Sequence, residues 1–221
     1  MKNKELKEII NKSLGKLDES YIVSTKHFDQ PTETLSKATH ESHYALYKNY
    51  VDSLNLISAT LTSDVISNNS NSSAFRSLKV DETFNMNATY LHELYFANSF
   101  DPHSEILMES LAYIKISQSF GTFDDWQKSF VSCAMSSRQG WVLTAYSLFL
   151  KKYYNFFIDS HVNNVPVGIY PVIVVDLNEH SYFKDLLNDK ISYLYSQMKE
   201  LQWTVIEERF KKAEEIAKII R

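Results

Sequence analysis

The 221-residue sequence is poor in several features that would each have pointed to a class of architecture. It has one cysteine, Cys133, so an internal disulfide framework is excluded and no cysteine cluster exists to hold zinc or an iron–sulfur group. Any metal site must therefore be built from histidine and carboxylate side chains. With four glycines and four prolines, the chain cannot be collagen-like or a Gly/Pro-rich low-complexity segment. No apolar run approaches the roughly 20 residues that span a bilayer. Met1 to Asp18 mix Lys and Glu with Leu6, Ile9, Ile10 and Leu14 at helical spacing, which is not a signal-peptide core. A net charge of −4 argues against a general nucleic-acid binder, though not against a local basic funnel for a small anion. These absences lead to the expectation of a soluble, cytoplasmic protein with no nucleic-acid and no membrane partner.

What is present suffices for a core: 44% of the residues are hydrophobic and 14% aromatic. Residues 1–20 read as a short amphipathic helical extension. A long helical pattern runs from Thr34 to about Leu61 with Ser36 as its N-cap, and the Ser/Asn-rich stretch in 63–73 reads as a loop tip. A second helix is expected from Asp81 or Asn85 to Asn98, closed by Asp101-Pro102-His103. Two helices joined by such a loop form an antiparallel hairpin. Further helices are expected over about 104–118 and 124–136, on either side of the turn Phe120-Gly121-Thr122-Phe123. Trp141–Leu148, Tyr153–Asp159 and Tyr170–Val175 are rich in β-branched and aromatic residues and read as three strands; from Tyr182 to Arg221 the pattern is helical again. Helices, then a small sheet, then helices predict an α+β fold: an N-terminal antiparallel helical hairpin followed by an α/β domain with a small three-stranded antiparallel sheet. The expected division is an extension at 1–20, a hairpin domain at 21–103 and an α+β domain at 104–221.

The last predicted strand ends in chemistry. Val172-Ile173-Val174-Val175 is followed by Asp176, and His180 stands four residues further on, so two metal-capable side chains sit where the strand gives out. A solvated Asp ahead of a helix N-terminus has the same spacing. Of the seven histidines, His27, His40 and His103 read as ordinary packed or surface residues. His43 and His92 differ, because each lies in an aromatic-rich helix and the two helices are the arms of one hairpin. His43, Tyr47 and Tyr50 fall at i, i+4 and i+7, on one helical face.

The sequence resembles the iron/manganese superoxide dismutase family. Leu35-Ser36 through His43-Tyr44 to Tyr50-Val51-Asp52-Ser53-Leu54-Asn55 is similar to that family's first helix, and His92-Glu93-Leu94-Tyr95-Phe96 to its second ligand helix. Phe120-Gly121-Thr122-Phe123, Gly140-Trp141, and a block running from His161 through Pro166-Val167-Gly168-Ile169, Asp176-Leu177-Asn178-Glu179-His180 and Tyr193-Leu194 to Trp203 carry the rest. The resemblance spans about Leu35 to Phe210. It implies a superoxide dismutase that binds one iron or manganese ion per chain through His43, His92, Asp176 and His180. It further implies that His161 hydrogen-bonds metal-bound solvent. Tyr50 matches the gateway tyrosine if one residue is deleted between His43 and Tyr50. The implied assembly is a homodimer with Glu179 and His180 at the interface, and the substrate is the small anion superoxide.

The chain departs from the family pattern at several positions. Asn178 and Leu143 stand where the family has tryptophans, Tyr47 where it has a histidine, Phe183 where it has a tyrosine, and Lys190 where it has an arginine. Lys190 keeps the positive charge but not the planar fork. These changes motivate an alternative, a non-catalytic structural or interaction protein on the same fold. Retention of all four ligands together with His161 favours the enzyme.

Overall fold

A computed structural model describes residue 21 and residues 32–62, 73–99 and 104–219. The expected N-terminal extension, most of the polar loop tip and the Asp101-Pro102-His103 helix end lie outside these residues, as do His27 and His103. The elements in chain order are helices α1 (Lys37–Thr62), α2 (Ser73–Ser99), α3 (Leu111–Phe120) and α4 (Phe123–Ser136), and strands β1 (Gly140–Ser147), β2 (Lys152–Asp159) and β3 (Ile169–Asp176). A 3-10 turn (Glu179–Ser181) and helices α5 (Phe183–Leu186), α6 (Lys190–Lys199) and α7 (Trp203–Ile219) follow. Helices, an antiparallel three-stranded sheet and helices again make the fold α+β. Among the described residues no helix is long and apolar enough to cross a membrane.

The chain forms two compact units, one containing Tyr44–Tyr90 and the other containing Leu91–Arg221 with the stretch that ends at His43. Within the first unit, Tyr47, Val51 and Leu54 are buried at the i, i+4, i+7 spacing that makes one stripe of α1. The ring of Tyr50 meets Phe84 of α2 edge-on at 6.2 Å. The amide of Asn55 is bonded at both ends to the backbone of Tyr21, at 2.9 Å each way.

The second unit is built on the sheet, ordered β2-β1-β3 with both pairings antiparallel. Every residue of β1 is buried, because β1 is central and is covered on both faces. Pro171 is tolerated because β3 is an edge strand and its register with β1 shifts between Thr144 and Ala145, where a ladder donor can be missing. α3 and α4 pack on β2, and α7 packs on β3. The core between them includes Ile116, Trp126, Phe130, Ile173, Val175, Ile206 and Phe210. The chain entering α1 docks on the same core through Leu35, which is 1% exposed, while Ser36 caps α1 by accepting from Thr39 N. Ser36 N and Oγ in turn donate to Asp185 Oδ2 at 2.8 and 3.0 Å.

Two helix starts differ from expectation. α2 begins at Ser73, two turns before Asp81; no residue from Ala74 to Val80 is buried, so these turns leave no apolar period to read. α3 begins at Leu111, not near Ser104. Ser110 caps it by accepting from Tyr113 N, and Glu207 accepts from the free N–H groups of Leu111 and Ala112 at 3.0 and 2.8 Å. Ser104 instead bridges to Gln202 and accepts from Thr204 N.

Candidate metal centre

Five of the six singled-out site residues belong to the second unit, and the fold gathers them. His43 ends the stretch that docks through Leu35. His92 lies in the last part of α2, and buried Arg209 fastens that part to the sheet. Its guanidinium donates to Leu94 O at 2.8 Å, Asn98 Oδ1 at 2.7 Å and Val172 O at 3.3 Å. Asp176 is the last residue of β3, and His180 sits in the 3-10 turn that follows.

The three imidazoles converge on one carboxylate oxygen. Asp176 Oδ2 lies 3.0 Å from His43 Nε2, 3.0 Å from His180 Nε2 and 3.6 Å from His92 Nε2. One ligand atom from each residue lies within 4.8 Å of those of the other three, a grouping that could hold a metal ion. Burial is almost complete: the side chains of His43, His92 and Asp176 are 1%, 0% and 0% exposed, and only that of His180 reaches solvent, at 30%. Burial alone would push the Asp176 carboxyl up, but the facing His180 and His43 outweigh it and hold the group well below the usual carboxylate range. Burial also lowers the His43 imidazole, so that it is neutral and available as a ligand. Three imidazole nitrogens, one carboxylate oxygen and no sulfur are a donor set that fits iron or manganese.

Around this cluster is an aromatic wall. His43 packs against Tyr95 and Phe96 at ring distances of 5.1 and 5.0 Å, and His92 meets the edge of Trp141 at 4.9 Å. Tyr95 and Tyr193 share a buried hydroxyl pair at 3.1 Å. His161 is 3% exposed, with its ring 5.9 Å from that of His92, and burial lowers its pKa to about 4. Its Nδ1 accepts a 3.0 Å hydrogen bond from Trp141 Nε1.

Tyr50 is the sixth residue and belongs to the other compact unit, where its partner is Phe84. At the positions that depart from the family pattern, Leu143 is fully buried, Tyr47 is 1% exposed and Phe183 is 47% exposed. Lys190 donates its ammonium to Ser137 O at 2.7 Å, and burial lowers its pKa. His40 is fully packed, as expected of a structural histidine, at 1% exposure.

Sequence reasoning missed the grip on the far side of the Asp176 carboxylate. Asn178 bonds Oδ1 through both its backbone N and its side-chain Nδ2, at 2.8 and 2.7 Å. The Asp-x-Asn spacing was the available signal, since an Asp side chain habitually accepts from the backbone two residues on.

Residues 109–209 match the family model described as "Iron/manganese superoxide dismutases, C-terminal domain". The chain is 33% identical over 189 residues to "Superoxide dismutase [Fe]" of Aquifex pyrophilus, covering 83% of this chain and 88% of that one. The figures are the same for the protein of that name from Aquifex aeolicus. It is 26% identical over 208 residues to "Superoxide dismutase [Mn]" of Haloarcula marismortui, covering 94% and 98%. With a relative 33% identical and matched over most of its length, the chain belongs to the iron/manganese superoxide dismutase family.

Proposed function

We propose that the chain is a superoxide dismutase, consuming two superoxide ions and two protons to give oxygen and hydrogen peroxide, with one iron or manganese ion per chain. The observation that carries this reading is the convergence of His43, His92 and His180 on Asp176 Oδ2 in a mostly buried cluster without sulfur donors. One-electron exchange with superoxide is the chemistry that a bound iron or manganese contributes to such a site. His43, His92, Asp176 and His180 would hold the ion, with Asp176 as the one anionic donor.

The remaining residues supply and position protons. His161 keeps a proton on Nε2 because its Nδ1 is occupied as an acceptor, and with its ring 5.9 Å from that of His92 it would orient a small oxygen ligand. Tyr50 is the second proton-handling group, a role that rests on its match to the family's first helix. A homodimer is part of the proposal, with Glu179 and His180 at the interface. In support, Glu179 is exposed and His180 is the one ligand with substantial exposure.

The test is metal analysis of protein prepared without chelators, paired with a superoxide-consumption assay. The expected result is about one iron or manganese ion per chain and activity that is lost on metal removal and restored by reloading. A folded, metal-free chain that neither takes up iron or manganese nor consumes superoxide would overturn the reading in favour of a structural role.

A further inference from the structure

We propose that Asn178 is a positioning residue that fixes the orientation of Asp176 and sets the charge of its ligand oxygen, and through it the redox potential of the metal centre. This rests on the reading of the site given above.

The two oxygens of Asp176 have different surroundings. Oδ2 faces the three imidazoles, whereas Oδ1, among the described residues, accepts from Asn178, at 2.8 Å from the backbone N and 2.7 Å from Nδ2. The backbone bond is an Asx turn that any non-proline residue at 178 would make. The side-chain bond needs a donor there. Its direction is fixed, because Nδ2 also lies 3.3 Å from Gly140 O, and both neighbours are pure acceptors that must face the NH2 end of the amide.

The usual reason for an asparagine at this point does not apply. Asn178 is the N-cap of the 3-10 turn that carries His180, yet its side chain makes no capping bond to that turn and reaches back to Asp176. Two N–H donors on Oδ1 draw carboxylate charge away from Oδ2, in a group fully shielded from water. A less electron-rich ligand favours the reduced ion and raises the potential, as partners of ligating groups generally tune a bound metal. By occupying Oδ1, the same bonds keep the carboxylate from turning its other oxygen toward the imidazoles.

Asn178→Leu removes the side-chain donor and keeps the volume; Asn178→Ala removes both. In the metal-loaded full chain, potentiometric titration should show the reduced-to-oxidised ratio at a fixed ambient potential falling about ten-fold in both variants. For a one-electron couple that is a downward shift of about 59 mV. A fall in metal retention in both variants, with an unchanged far-ultraviolet circular dichroism spectrum, supports the orienting half of the proposal. Wild-type retention and potential in Asn178→Leu, or a shift confined to Asn178→Ala, would overturn it, because space and not the hydrogen bond would then be responsible. Asn178→Met replaces the Leu variant if that one does not fold. Failure of the wild-type chain itself to take up iron or manganese overturns the reading of the site instead, and shows itself before any variant is compared.

Discussion

Trp141 Nε1 donates to His161 Nδ1 at 3.0 Å, and this one bond decides the tautomer of the imidazole next to the ligand cluster. An indole N–H can only donate, so Nδ1 must be the unprotonated nitrogen and Nε2 must carry the hydrogen. Trp141→Phe keeps most of the ring and removes the donor. The expected outcome is a loss of about ten-fold in superoxide consumption per bound metal ion, the lower end of the range seen when a partner of a site residue is removed. Nitrogen-15 shifts of His161 should move from a single Nε2–H form to a mixture. Unchanged activity together with an unchanged tautomer would show that the bond is not what holds the ring.

His92→Ala tests the ligand cluster without relying on turnover. A ligand that binds only the folded chain stabilises it, by about 2.7 kcal/mol at 100 times the dissociation constant. Addition of manganese(II) should therefore raise the melting temperature of the metal-free wild type and leave that of His92→Ala where it is. A variant that still gains stability on adding the metal would mean that His92, though it lies 3.6 Å from Asp176 Oδ2, is not needed for binding.

The strands were legible because each is rich in apolar, β-branched or aromatic residues, and the three read from sequence lie within a residue of Gly140–Ser147, Lys152–Asp159 and Ile169–Asp176. The ends fixed by remote partners were not legible. Nothing near Ser104 in the sequence reveals that it will pair with Gln202, so the residues before Leu111 read as helix. In the site, spacing picked out Asp176 and His180, and their aromatic-rich helices on one hairpin singled out His43 and His92; the assignment of the four as ligands, and His161 altogether, came from a resemblance. The role of Asn178 depends on where its amide points, which becomes apparent only when Gly140 and Asp176 are placed around it.

The metal-free protein should lose stability as the solution is acidified below neutrality. Burial lowers His40 and His161 to about 4, and lowers His43 as well, while in the unfolded chain all three titrate near 6.5. Between those values the unfolded chain binds more protons, so stability is fully present above about pH 6.5 and falls as the pH drops toward 4. Glu200, pushed up by burial, acts in the opposite sense, but it is one group against three. For His40 and His161 the expected loss is on the order of 2 kcal/mol each by pH 4.5, and His43 adds to it in the same direction. Urea midpoints at pH 7.5, 5.5 and 4.5 measure it, and His40→Gln should flatten the slope by about one proton. A midpoint that is constant across this range would contradict the burial of these imidazoles.

Gly140 joins the start of β1 to the loop beyond β3, and no other residue fits its place. Its φ is +124°, and an added Cβ would lie 2.0 Å from Ile158 O and 2.7 Å from Ser160 N, both of them backbone atoms that cannot swing aside. Its carbonyl accepts from Leu177 N at 2.6 Å and from Asn178 Nδ2 at 3.3 Å, so a shift of this peptide would move the two residues that follow Asp176, and Trp141 next to it. Gly140→Ala should therefore cost more than about 3 kcal/mol in urea unfolding, the range reserved for backbone clash and strain. It should also lower metal retention in whatever fraction still folds. Gln139→Ala, one residue earlier and exposed, is the control and should change neither. Equal stability of the two variants would mean that β1 can start without a left-handed residue, and the geometry that ties Gly140 to Asn178 would have to be redrawn.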